Sequence, residues 1–117
     1  AVSLRMQKTG SIAVILPEVT QAHYGHSLCH LQKSAEILGY RILFYQSFNC
    51  NTKELNYIKS LSDGSIDGII VISSNNKSKS QFENNSFPIE FLYLTADSSL
   101  DEIKQQSYKS LTNVLKG

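Results

Sequence analysis

Four short polar stretches of this 117-residue chain gather the side chains best suited to binding or chemistry. The first, "PEVTQAHYGH", carries Gln21, His23, Tyr24 and His26 just after an unbroken apolar run, Ile12 to Leu16. The second, "QSFN", holds Gln46, Ser47 and Asn49; the third begins at Ser73 and Ser74; the fourth follows Tyr93 in "YLTADSS". An imidazole can carry a proton near neutral pH, and a hydroxyl can attack once a base takes its proton. The same groups in an apolar cleft can instead orient a sugar, whose C–H faces suit aromatic rings and whose hydroxyls suit amides and imidazoles.

Catalysis is the weaker of the two. Ser, His and Asp are present, but there is no Gly-x-Ser-x-Gly elbow and no base with an orienting partner placed by the sequence. Neither a P-loop nor the Gly-x-Gly-x-x-Gly dinucleotide turn occurs. A phospho-acceptor receiver would need an acidic cluster after the first strand and an Asp ending the third, where this chain has a lone Glu18 and serines. His23, His26 and Cys29 recur at three-residue spacing, which could gather metal ligands on one helical face. Two of them lie in or beside a loop, so ordinary polar surface is the expectation and no metal or cofactor is assigned. Cys29 and Cys50 lack CxxC spacing and read as reduced thiols.

The composition agrees with a packed binding domain. At 41% hydrophobic residues the chain can bury a core, and its net charge of +1 exerts no global pull toward nucleic acid. Its longest apolar runs are far too short to span a bilayer and no targeting segment is visible, so a cytoplasmic protein, or a mature or trimmed chain, is expected, with no membrane partner.

The elements that must position these groups follow from periodicity. Four apolar runs, Ile12–Leu16, Ile42–Tyr45, Ile69–Ile72 and Ile89–Leu94, read as strands; the first three are nearly continuous, as strands covered on both faces tend to be. Between them, Leu28, Leu31, Ala35 and Leu38 line one helical face that Gly39 ends, and Thr52 is placed to cap a helix with Leu55, Ile58 and Leu61 as its stripe. A polar stretch around Phe82 reads as a loop with a short helix. The last helix is expected from about Lys104 to Lys116, burying Tyr108, Leu111 and Leu115. This alternation predicts an α/β fold: a parallel sheet with right-handed crossovers and helices on both faces. Glu90, inside the fourth run, is expected at a sheet edge or on a solvated face. In such sheets ligands bind beyond the carboxyl ends of the strands, where all four polar stretches would lie.

The residues also resemble a family. "SLRMQKTGSIAVILPEVTQAHY" is similar to the start of the effector-binding core of LacI/GalR-type transcriptional regulators, with Pro17-Glu18 in the Pro-Asp place and Gln21-Ala22-His23-Tyr24 in the Asn-Pro-Phe-Phe place. Gly39-Tyr40, "SIDGIIVISS", "FPIEFLYL" and "YKSLTNVLKG" continue the resemblance in order over nearly the whole chain.

That resemblance implies a Rossmann-like lobe of a periplasmic-binding-protein-like type I fold, incomplete here. Residues 1–10 would be the linker after a hinge and DNA headpiece, and residues 11–117 the amino-terminal lobe of the core. It implies a small-molecule effector of the sugar or phosphosugar type, a homodimer, and DNA contact through a headpiece absent from this chain. It nominates Gln21, His23, Tyr24, Ser47, Asn49, Ser73, Ser74 and Tyr93 as effector-binding candidates, with His26 facing solvent or an interface. Two departures matter. The family's Asp-Arg pair ending the fourth strand is replaced by Tyr93-Leu94, and its Asp-Asn falls on Lys104-Gln105 in "DEIKQQ". An atypical effector or regulation through a protein partner would fit these departures. The sugar-binding protein of an importer, which shares the fold, and a free-standing interaction module are the alternatives.

Overall fold

The computed structural model describes residues 9–75 and 87–116. Along that span run β1 (Ser11–Leu16), α1 (Ala22–Ile37), β2 (Arg41–Gln46), α2 (Asn51–Leu61), β3 (Gly68–Ser73), β4 (Ile89–Tyr93) and α3 (Leu100–Lys116). The strands form one parallel sheet in the order β2-β1-β3-β4, with Ile12 beside Ile42 and Gly68, and Val71 beside Phe91. The linker expected over residues 1–10 and the short helix around Phe82 fall mostly outside the described residues.

The unbroken apolar runs of β1 and β3 follow from their central place. Ile12, Val14, Leu16, Ile70 and Ile72 meet Leu31 of α1 and Ile103, Leu111 and Val114 of α3 on one face. Their alternate residues Ala13, Ile15, Ile69 and Val71 meet Ile58 and Leu61 of α2 on the other. Every residue of both strands is buried. The same expectation fails for β2. It is an edge strand, and Leu43 and Phe44 are exposed, because nothing among the described residues covers the sheet beyond it. β4 lies at the other edge, and Glu90 is half-buried there with the Asn113 amide donating to it at 3.4 Å.

The helices keep their expected order but shift in register. α1 ends in a Schellman turn: Tyr40 N–H bonds to Ala35 O at 2.8 Å and Gly39 N–H to Glu36 O at 3.1 Å, with Gly39 at φ +86°. Leu38, expected on the buried face, sits outside it and is exposed. α2 starts at Asn51 behind an N-cap at Cys50, so Thr52 does not cap it. Its buried stripe is Glu54, Ile58 and Leu61, while Leu55 is 40% exposed.

α3 begins at Leu100, ahead of the expected Lys104, because Ser99 and Glu102 form a capping box. The Ser99 N–H donates to Glu102 at 2.9 Å and the Glu102 N–H to Ser99 Oγ at 3.1 Å. Tyr108, expected on the buried face, is exposed, and Ile103, Ser107, Leu111 and Val114 face inward. Small residues let the layers approach. Ser27 Oγ and Ser107 Oγ bond at 2.7 Å between α1 and α3, and a Cβ on Gly68 would stand 2.6 Å from Val114 Cγ2.

Asp67 holds the incoming chain beneath β1. Its carboxylate accepts from Thr9 N–H at 2.9 Å, Thr9 Oγ1 at 3.0 Å and Gly10 N–H at 3.0 Å. Cys29 and Cys50 are free and exposed. Among the described residues no helix is long and apolar enough to cross a membrane.

Candidate functional site

The carboxyl ends of β1, β2 and β3 open onto one notch. The parallel ladder runs past the strands, with Ser47 N–H bonded to Leu16 O and Phe48 N–H to Pro17 O, each at 2.8 Å. Phe48 and Asn49 then adopt left-handed backbone, φ 52° and 60°, and Cys50 N–H closes the turn on Ser47 O at 3.0 Å. Left-handed backbone in residues with a Cβ costs about 1–2 kcal/mol each, strain that is concentrated at functional turns. Beneath the turn, Pro17, Ser47, Asn49, Glu54, Ser73 and Asn75 line a small notch of about 20 Å³.

Among the described residues its walls are hydroxyls, amides, Cys50 and one carboxylate. Ser73 Oγ accepts from Asn75 N–H at 2.9 Å, and Ser47 is buried against β1. Glu54 is only 6% exposed and has a contact within the lobe. Among the described residues no Lys or Arg lines the notch, and the nearby Lys53 Nζ lies over the Phe48 ring, 5.4 Å from its centroid. Gln46 Oε1 accepts from Val19 N–H at 3.0 Å, tying the end of β2 to the loop after β1.

The remaining candidates are distributed around this notch. Ser47, Asn49 and Ser73 line it. Tyr24, 2% exposed, fills the core beside β1, and its hydroxyl is hydrogen-bonded to that of Ser74. His23 stacks at a tilt on Tyr24, 4.0 Å between centroids, and is 8% exposed. Its Nε2 has no hydrogen-bond partner among the described residues, and burial pushes its pKa below the usual imidazole value, so it is neutral at neutral pH. Gln21 is exposed at the head of α1, where its carbonyl accepts from Tyr24 and Gly25 N–H. Tyr93 stands apart, in an open groove beside β4 with Thr95, Asp97, Ser98 and Glu102.

Pro17 and Asn75 belong to the polar stretches expected at the crevice, whereas Glu54 lies outside them, on α2. For Glu54 a signal existed: Glu54, Ile58 and Leu61 are spaced 4 and 3, as well placed for a buried stripe as the apolar alternative. His23 is buried while His26 and Cys29 are exposed, so their three-residue spacing does not gather them. Among the described residues no group of three His, Cys, Asp or Glu could hold a metal. The arrangement is equipped to hydrogen-bond a small polar molecule at the mouth of the sheet.

No protein-family model matches the chain, and no curated protein matches its sequence at a significant level. Solved structures do match its fold. A LacI regulator from Lactobacillus casei with bound Tris is 21% identical over 84% of this chain and 35% of its own, with a TM-score of 0.61. The Cra transcriptional dual regulator from Pseudomonas putida, in complex with fructose 1-phosphate, is 16% identical over 93% of this chain and 54% of its own, TM-score 0.63. A periplasmic binding ribose operon repressor protein from Lactobacillus acidophilus is 16% identical over 94% and 54%, TM-score 0.59. The chain thus spans between a third and about half the length of these structures. The likeness is one of fold, the periplasmic-binding-protein-like core that LacI-type regulators use.

Proposed function

We propose that this chain is the amino-terminal lobe of the effector-sensing, dimerising core of a LacI-type transcriptional regulator. The observation that carries the reading is the polar notch of Ser47, Asn49, Ser73 and Glu54 at the carboxyl ends of three parallel strands, in a fold shared with such regulators. Small molecules bind sheets of this kind at that place. Structures of similar fold are described with Tris and with fructose 1-phosphate. By this reading, residues 1–10 lead from a hinge and DNA headpiece, residues 11–117 form the lobe, and a second lobe closes over the notch. Gln21, His23, Tyr24, Ser74 and Tyr93 frame the crevice and Ser47, Asn49 and Ser73 contact a sugar-like effector. Closure would reposition the DNA headpieces, coupling two distinct sites in a cytoplasmic protein.

The homodimer finds support in β2. Leu43 and Phe44 stand exposed on opposite faces of an edge strand, and Leu55 of α2 adds apolar surface on one side. Titration calorimetry of the intact regulator against sugars, polyols and phosphosugars tests the effector reading. Binding of at least one is expected, and silence across the panel refutes it. Sedimentation of the intact core should show a dimer that Leu43→Glu weakens; a monomer at every concentration removes the dimer from the proposal.

A further inference from the structure

We infer that β2 pairs antiparallel with β2 of a second copy of this chain, so that two lobes share one continuous sheet about a two-fold axis centred on Phe44. The inference rests on the dimer reading above and states how that dimer is built.

The backbone supplies the first observation. Arg41 N–H bonds to Gly10 O and Ser47 N–H to Leu16 O, each at 2.8 Å, so the odd-numbered residues of β2 turn toward β1. Direction alternates along a strand, which leaves the N–H and C=O of Ile42, Phe44 and Gln46 facing outward. Among the described residues β2 is the last strand on that side. In an antiparallel pair, two outward residues set directly opposite each other exchange both of their bonds. An axis at Phe44 sets Phe44 against Phe44 of the second copy and Ile42 against its Gln46, so every outward residue meets another. An axis at Leu43 would match Ile42 with Phe44 and leave Gln46 over.

The side chains fit the same register. Phe44 lies beside Val14 and Leu43 beside Ala13, on opposite faces of the sheet, and they are 48% and 39% exposed. A two-fold axis perpendicular to the sheet keeps each face on its own side. Phe44 then meets Phe44 of the second copy as a cross-strand aromatic pair, and Leu43 meets its Tyr45. A foreign strand could use the outward amides, but this match needs the same sequence, and a closed two-fold contact uses one patch twice.

Third, this edge is unguarded. Edge strands are commonly blunted by an internal charge, a proline or a bulge. The only charge in "RILFYQ" is Arg41 at its first position, and its Nε donates to Ser11 Oγ at 2.8 Å. β4, at the other edge, has Glu90 inside it and Pro88 immediately before it.

Amide hydrogen exchange on the intact regulator tests this. In the dimer, the amides of Ile42, Phe44 and Gln46 should exchange at least tenfold more slowly than after dilution to the monomer. Sedimentation then compares Phe44→Thr, which removes the ring and keeps the amide, with Phe44→Pro, which removes the N–H as well. An edge strand accepts proline where its N–H faces outward. Phe44→Pro should weaken the dimer at least tenfold beyond Phe44→Thr. A dimer whose three amides exchange as fast as the monomer's overturns the inference and leaves the dimer reading standing, without reliance on a variant folding. Equal weakening by the two variants also overturns it. A monomer at every concentration overturns both.

Discussion

The hydroxyl of Tyr24, in the first turn of α1, is hydrogen-bonded to the hydroxyl of Ser74, just past β3 and 50 positions away. This bond ties the first turn of α1 to the segment leaving β3. Tyr24→Phe keeps the buried ring and should cost about 0.5–1.5 kcal/mol, while Tyr24→Ala should cost about 3–5 kcal/mol through its cavity. Denaturant unfolding measures both. Equal losses would show that the ring contributes nothing beyond the hydroxyl.

Ser27 and Ser107, both fully buried, share a hydrogen bond at the crossing of α1 and α3. Replacing either with Ala strands the other hydroxyl in the core, at a cost of about 1–3 kcal/mol. Replacing both removes the stranded group, so the double variant should lose clearly less than the two single losses combined. Strict additivity in denaturant melts would argue against the shared bond.

Asp67 receives three hydrogen bonds from Thr9 and Gly10. Asp67→Ala should release the chain leading into β1 while leaving the buried strand itself in place. Amide hydrogen exchange should report at least a tenfold loss of protection at Thr9 and Gly10, with little change at Val14 and Ile15. Unchanged exchange at the first pair would show that the carboxylate does not hold the incoming segment.

Burial holds the His23 imidazole below its usual pKa, with Nε2 lacking a partner among the described residues. In the unfolded chain it titrates near 6.5. Between the lowered value and 6.5 the unfolded state therefore binds more protons, and stability falls as pH drops through that window. Above it the group is neutral in both states and stability is unaffected. His30, lowered by burial and then by Lys104, Lys33 and His26, contributes in the same direction. Thermal melts at pH 7.5 and 5.5 should show a shallower acid loss in His23→Gln than in the unaltered protein. Identical losses would mean His23 is not the group responsible.

The sequence announced strand identity well and strand environment poorly. "SIAVIL" and "RILFYQ" are comparable apolar runs, yet the first is central and buried while the second is an exposed edge. Only pairing order separates them, and periodicity carries no pairing order. In α2, hydropathy favours Leu55 over Glu54 because it cannot credit a carboxylate with a buried position. In α3 the cue was present: Ser99-Leu100-Asp101-Glu102 spells a capping box that fixes the start. Of the crevice, sequence located the loops through the rule for parallel sheets, and three of its candidates share one notch. It could not tell that the Tyr24 phenol would be engaged by Ser74, a contact set by the packing of α1 on β3.

β1 is made first, but its two neighbours in the sheet, β2 and β3, are made later. At synthesis rates of about 5–20 residues per second, roughly 3 to 11 s separate the end of β1 from the end of β3. Throughout that interval "SIAVIL" has at least one bare edge and no finished core to hide in. The central position that makes this strand the most buried in the folded lobe makes it the segment a nascent chain must shelter longest.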